Sequence, residues 1–323
     1  MLLKKKREEV IDLGFGQKES VKGQRIINKD GSFNLKKKGI PFLESFNFYH
    51  YLVTISWTRF ILIVLAGYVV INLLFGLIYY LIGVENLDGV SAADGFGKFL
   101  AVFFFSAQTF TTVGYGHISP IGVESNTVAA LESLISLLSL ALATGLLYGR
   151  FSRPIARLLF SKHSIIAPFR GMKAYQFRVT NKQRSQMINV NVTVMLTILE
   201  DTDGVSVRKY YNLKLEYPQI NMFPSVWTVN HPIDENSPMF GITHDTLMKG
   251  EAEIMILLKG YDDTFSQDVH TRFSYRADEI VWGAKFVNLF GKEDDGIPTI
   301  AVDRIDEYEK AELPDGMPKL KND

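Results

Sequence analysis

Thr111-Thr112-Val113-Gly114-Tyr115-Gly116 follows an aromatic-rich segment at 98–109 and lies between two long apolar runs. Its two glycines stand at alternate positions, and glycine admits backbone angles that side chains forbid. Such a run can turn successive backbone carbonyls to one side. A ring of these loops replaces the hydration shell of a potassium ion, and Thr112 adds its hydroxyl at the inner end. Ions would then sit at Thr112, Val113, Gly114 and Tyr115, with Gly116 closing the filter over 112–116. The bare string also fits a tight turn, and in a soluble protein that reading comes first. Position separates the two. Non-helical backbone at membrane depth is tolerated only where it is buried or lines a cavity.

The flanking runs supply that position. Residues 61–82 form an uncharged stretch of 22 residues. As a helix it covers about 33 Å, against a hydrocarbon core of about 30 Å. Trp57, Arg59, Tyr79 and Tyr80 mark its ends as interfacial anchors. An outer helix is therefore expected over about 59–82. Residues 98–111 read as a helix too short to span, whose negative end points at the filter and favours a cation there. Residues 127–149 read as the second span, inside an inner helix of about 125–152. It carries one acid, Glu132, and an ionisable residue inside a span is a functional candidate by default. Its place near the filter end puts it behind the filter. Ser133, Ser136, Ser139 and Thr144 make this helix the more polar one, as pore lining requires.

Before the first span, Phe42, Phe46, Tyr49 and Val53 fall on one helical stripe. An interfacial helix is expected over 42–58, although the stripe also fits the frayed start of the span. Residues 1–41 read as an irregular amino-terminal segment, with a short strand possible at 21–28. Met1-Leu2-Leu3-Lys4-Lys5-Lys6-Arg7 is followed by no apolar core, so a basic tail that stays inside is expected. Arg150, Arg153, Arg157 and Lys162 follow the second span. The positive-inside rule then places both termini in the cytoplasm of a multi-pass protein of the plasma (inner) membrane. The same cluster can attract anionic lipid head groups.

Residues 153–163 read as a linker, and the pattern changes from 164. Strands are expected at 174–180, 188–199, 205–215, 225–229, 252–258, 265–275 and 279–290, with turns at 201–204, around Gly260 and at His231-Pro232. One helix is expected at 243–249, ended by Gly250. Strands at this spacing suggest an antiparallel sandwich over 164–303, followed by a polar tail at 304–323. The chain has 323 residues, zero net charge and no cysteine. Nothing in that balance points to nucleic acid, and disulfides and thiolate metal sites are excluded. There is no phosphate loop, dinucleotide fingerprint, paired metal histidines or nucleophile elbow. An enzyme is not expected, and neither is a cofactor beyond potassium as a permeant ligand.

Five strings carry a family resemblance. They are Tyr49-His50 with Ser56-Trp57, Thr112-Val113-Gly114-Tyr115-Gly116, Arg150-Phe151-Ser152-Arg153-Pro154, His231-Pro232-Ile233-Asp234-Glu235-Asn236-Ser237-Pro238, and Lys259-Gly260. Over about 45–303 the chain resembles the inward-rectifier potassium channels, in particular their prokaryotic branch. The resemblance implies a four-fold homotetramer of two-span subunits with a re-entrant pore helix and a cytoplasmic all-β, immunoglobulin-like domain. It implies gates at Tyr148 on the inner helix and at a loop carrying Gly260 and Tyr261. It implies lipid contacts at Arg59, Arg150, Arg153 and Lys162. An aromatic at Tyr148 would also be usual at the membrane interface.

Departures from the pattern are informative. Strong rectifiers carry an acid where this chain has Leu140, and often Glu where it has Lys259, so rectification is expected to be weak. Gln108 stands where many members have Glu behind the filter, and Glu132 is expected to take over that backing. His117 follows the filter at the outer mouth. Histidine changes charge near neutral pH, so external acid is expected to reduce current. Two other readings stay open: a membrane-anchored sensor or binding protein with a non-conducting pore, and a nonselective cation channel.

Overall fold

The computed structural model describes residues 24–35, 39, 41, 47–92, 94–152, 158–183, 186–202, 204–223, 225–292 and 296–314. The chain divides into two compact units, Lys38–Arg153 and Met1–Lys37 with Pro154–Asp323.

The first unit is helical. Helix α1 (Phe48–Thr54) is capped by the Asn47 side chain, which accepts the His50 N–H at 2.9 Å. Residues 42–46 of the expected interfacial helix lie outside the described residues. At its other end the chain breaks at Ile55, and the Ser56 hydroxyl caps α2 (Trp57–Ile82). Within 47–58 the structure thus has a short helix and a start of the span two residues before the expected 59. Helix α2 ends at Gly83, whose φ of 112° stops it. Helix α3 (Gly95–Phe110) begins three residues before the expected 98, because Asp94 accepts the Gly97 N–H. Helix α4 (Gly122–Phe151) runs for 30 residues. Helices α2 and α4 are long and apolar enough to cross a membrane. Strands β1 (Leu87–Asp88) and β2 (Ser119–Pro120) pair antiparallel, tying the segment before α3 to the segment after the filter string.

The second unit is a sandwich of two five-stranded sheets. One contains β6 (Met187–Thr202), β7 (Val205–Asn212), β8 (Gln219–Phe223), β10 (Glu253–Asp262) and β11 (Gln267–Arg276), in the order β11-β10-β6-β7 with β8 also on β6. The other contains β3 (Leu158–Phe160), β4 (Ser164–Phe169), β5 (Met172–Asn181), β9 (Val226–Pro232) and β12 (Ile280–Trp282). Only β12 on β4 is parallel in these two sheets. Phe177 and Val179 of one sheet and Val192, Val194, Leu196 and Ile254 of the other meet in a common buried core. Burying such side chains is the main favourable contribution to this fold. Helix α5 (His244–Lys249) is capped by the Thr243 side chain.

Several expectations change. His231-Pro232 ends strand β9 and is not a turn. Gly260 and Tyr261 lie inside β10, and the turn comes later, at 263–266. Gly260 is required by packing: a Cβ there would meet Met187 Cε at 2.9 Å and Val190 Cγ2 at 3.0 Å. The expected strand at 279–290 is cut by Gly283 at φ 67° into β12 and β13 (Ala284–Phe286). Strands β14 (Phe290–Lys292) and β15 (Pro298–Ile300) form a separate pair. Strand β16 (Tyr308–Lys310) falls inside the expected tail and pairs with β13.

The amino-terminal segment docks on this unit. The buried Glu253 carboxylate accepts the Ile26 and Ile27 N–H groups at 2.7 and 3.1 Å, and Ser274 Oγ donates to the Ile27 carbonyl at 2.7 Å. Ile27 is buried against Tyr210 and Met255. Arg25 and Lys29 both pair with Glu279. Burial pushes the Glu279 carboxyl up, but the Lys29 and Arg276 hydrogen bonds and the two cations hold it below the usual carboxylate range.

Candidate functional site

The filter string begins where α3 ends. Thr112, Gly114 and Gly116 have φ of 59°, 49° and 75°, while Val113 and Tyr115 keep negative φ. Alternating the sign of φ swings alternate peptide planes back, so that successive carbonyls need not point to opposite sides. Gly114 and Gly116 have nothing within 4 Å of a would-be Cβ, so the backbone angle, not space, demands glycine. Thr112 is β-branched and still adopts the left-handed region, a conformation that costs free energy and is concentrated at functional sites. The string is anchored from behind. The Gln108 carbonyl accepts the N–H of Val113 at 3.0 Å and of Gly114 at 3.3 Å, and the Thr109 carbonyl accepts that of Thr112 at 3.0 Å. Gln108 therefore backs the string through its main chain.

Helix α3 is fixed against both long helices. Gly76 of α2 lets the Phe103 backbone approach, to 3.2 Å from where a Cβ would stand. The Tyr79 and Phe105 rings meet edge to face at 5.1 Å. Ser136 of α4 donates to the Phe110 carbonyl at the end of α3. Glu132 is buried, and its carboxyl meets the Tyr79 and Ser106 hydroxyls. Ser106, Asn72 and Tyr79 were not legible as site residues. Tyr79 reads as an interfacial anchor and is buried instead, Ser106 and Asn72 are ordinary where they stand, and only the fold brings the three to Glu132.

Past the filter string, Gly89 lies so close to the His117 carbonyl that a Cβ would sit 1.8 Å from it. With the β1–β2 pair, this contact holds the exit of the string. His117 itself is exposed.

The remaining candidates are spread over both units. Tyr148 and Leu140 are 74% and 64% exposed on α4. Arg59 and Lys162 are exposed, and Arg153 lies outside the described residues. Arg150 is occupied: its guanidinium donates to the Leu52 and Ile55 carbonyls and lies 4.5 Å from both the Trp57 and Phe60 ring centres. That arrangement joins α1, α2 and α4. In the second unit Lys259 is exposed, Gly260 is buried, and Tyr261 is half-buried. The register slips between Lys259 and Tyr261, so the strand is locally bulged there.

His231, in the sequence string that best marked the family, has a packing role. Its Nδ1 meets the Lys214 carbonyl at 2.6 Å and its Nε2 the Ser237 hydroxyl at 2.7 Å. A carbonyl can only accept, so Nδ1 carries the proton and Nε2 accepts from Ser237. Arg178, buried with no carboxylate partner among the described residues, is lowered by burial to about 10 and donates to the Thr228 hydroxyl and the Val287 carbonyl.

Comparison with known proteins covers both units. The family described as "Inward rectifier potassium channel transmembrane domain" matches residues 27–154, and "Inward rectifier potassium channel C-terminal domain" matches residues 158–322. The chain is similar to "Inward rectifier potassium channel Kirbac3.1" of Paramagnetospirillum magnetotacticum, 38% identical over 87% of this chain and 94% of the relative. It is also similar to the human "G protein-activated inward rectifier potassium channel 3", 25% identical over 84% of this chain and 74% of the relative. The human "ATP-sensitive inward rectifier potassium channel 12" is 27% identical over 83% of this chain and 67% of the relative.

Proposed function

The chain belongs to the inward rectifier potassium channel family, a family of channels and not of enzymes, and on that premise we propose that four copies close a potassium-selective filter around one axis. The observation that carries this reading is the alternation of φ at Thr112, Gly114 and Gly116 directly after a helix whose carbonyl end faces the string. Potassium sheds its water onto carbonyls at Thr112, Val113, Gly114 and Tyr115. The exposed Tyr148 ring closes the inner path, and the bulged strand at Gly260 and Tyr261 forms a second constriction. Anionic lipid acts at Arg59, Arg153 and Lys162, with the engaged Arg150 guanidinium adding charge to the same collar. Both termini lie in the cytoplasm of the plasma (inner) membrane. Leu140 and Lys259 offer no carboxylate to a cationic blocker, so rectification is weak. His117 makes the current fall in external acid.

The test is potassium flux into liposomes, with anionic lipid titrated, for the parent and Gly114→Asp. The parent conducts potassium over sodium and the variant loses the flux. A folded parent oligomer that passes no potassium would overturn the proposal. Equal sodium flux would replace it with a nonselective pore. Strong block of outward current by spermine would remove the weak rectification, and a pH response that survives His117→Ala would remove the role of His117.

A further inference from the structure

Four buried side chains from three helices meet behind the filter. Asn72 and Tyr79 come from α2, Ser106 from α3 and Glu132 from α4; Asn72, Ser106 and Glu132 have no exposed surface, and Tyr79 has 1%. Their hydrogen bonds can be counted. Asn72 Nδ2 donates to the Tyr68 carbonyl at 2.7 Å, which turns the amide oxygen toward Ser106 Oγ at 3.0 Å. Ser106 Oγ also meets Glu132 Oε1, and Tyr79 OH meets Glu132 Oε2 at 2.7 Å. Ser106 has one proton and faces two oxygens. With Glu132 as a carboxylate, one of those contacts has no hydrogen. With a proton on Oε1 the count closes: Glu132 donates to Ser106, Ser106 to Asn72, and Tyr79 to Oε2. A buried network satisfied in this way is rigid, and one missing a proton is costly.

Ser106 lies two residues before Gln108, the carbonyl of which receives the Val113 and Gly114 N–H groups. Ser136 holds the Phe110 carbonyl on the other side. Displacing Ser106 therefore displaces the atom from which the filter hangs.

We infer that Asn72, Ser106 and Tyr79 are positioning residues for conduction, and that Glu132 joins them as a neutral acid that donates a hydrogen bond. The inference rests on the reading of this chain as a potassium channel and adds three residues to it.

The experiment compares potassium and sodium flux through the full-length chain in liposomes, with oligomer content measured on the same samples. Glu132→Gln swaps an O–H donor for an N–H donor, at the cost of a second buried N–H, and lowers the potassium-to-sodium ratio less than the loss of the Ser106 hydroxyl does. Ser106→Ala removes the bridging hydroxyl and lowers the ratio by about tenfold, the scale of one lost buried hydrogen bond. Tyr79→Phe keeps the ring on Phe105 and lowers the ratio less. A Glu132→Gln oligomer as impaired as Ser106→Ala would show that charge is needed and overturn the neutral acid. Parent-like ratios in both Ser106→Ala and Tyr79→Phe would overturn the positioning role. A parent that passes no potassium would overturn the channel reading and this inference together.

Discussion

The two units are built inside out with respect to each other. In the helical unit, Asn72, Ser106, Ser125, Glu132 and Ser136 are buried, while Leu62, Val70, Leu81 and Leu137 are 59–74% exposed. In the sandwich, Phe177, Val194, Leu196 and Ile254 are fully buried. The same chemistry explains both. In water, apolar side chains gain by leaving the solvent. In lipid they gain nothing by leaving it, and polar groups must find partners inside. The helical unit is therefore held by hydrogen bonds and close backbone approach, such as that of Gly76 to Phe103.

This contrast can be broken by experiment. Leu196→Ala empties the sandwich core and costs about 2–5 kcal/mol, whereas Leu62→Ala on the lipid face costs less than about 0.5 kcal/mol. Denaturant midpoints of the two variants, followed by tryptophan emission, check this. Equal losses would mean that the outer face of α2 is packed against protein. Glu253→Ala is the next largest effect. It strips the acceptor from two backbone N–H groups, a loss of about 1–3 kcal/mol, and frees the amino-terminal segment. Limited trypsin digestion should then cut faster at Arg25 and Lys29; an unchanged rate would show that the segment is held by its apolar contacts alone.

The smallest effect sharpens the contrast on the sandwich side. Burial holds the His231 imidazole below its ordinary value of 6.5, against the Lys214 carbonyl and the Asp234 charge, which push it up. The unfolded state thus binds this proton more tightly. Stability is complete above about 6.5 and declines as pH falls through that value toward the lower folded one. Unfolding midpoints at pH 7.5 and 5.5 should differ more in the parent than in His231→Gln. An identical pH step in both would assign the acid sensitivity elsewhere.

What could be read from the chain differs between the units in the same way. The filter string was legible because its chemistry is local: glycine spacing is itself the backbone requirement. The two spans were legible because lipid demands uninterrupted apolar runs, and Glu132 stood out as the acid in one of them. Ser106 and Asn72 were not, since their contact joins residues 34 apart and serine or asparagine carries no signal by itself. In the sandwich, β4 was missed because its first four residues are all buried and show no alternation. Gly260 read as a turn because glycine usually marks one, but here it makes room for Met187 and Val190. Arg150 read as part of a basic collar; its bracket to the Leu52 and Ile55 carbonyls carried no signal in the sequence.

The amino-terminal clasp has a consequence for how the protein is made. Its bond from Ser274 to Ile27 joins residues 247 apart, and the Glu279 pair joins residues 254 apart. Synthesis runs from the amino end, so residues 24–35 leave the ribosome long before Glu253, Ser274 and Glu279 exist. Throughout insertion of both spans, this segment has no place to dock. Clasp closure is then among the last steps of assembly and marks a chain translated through residue 279. A messenger cut short before that codon would yield subunits with residues 24–35 undocked, open to proteolysis at Arg25 and Lys29.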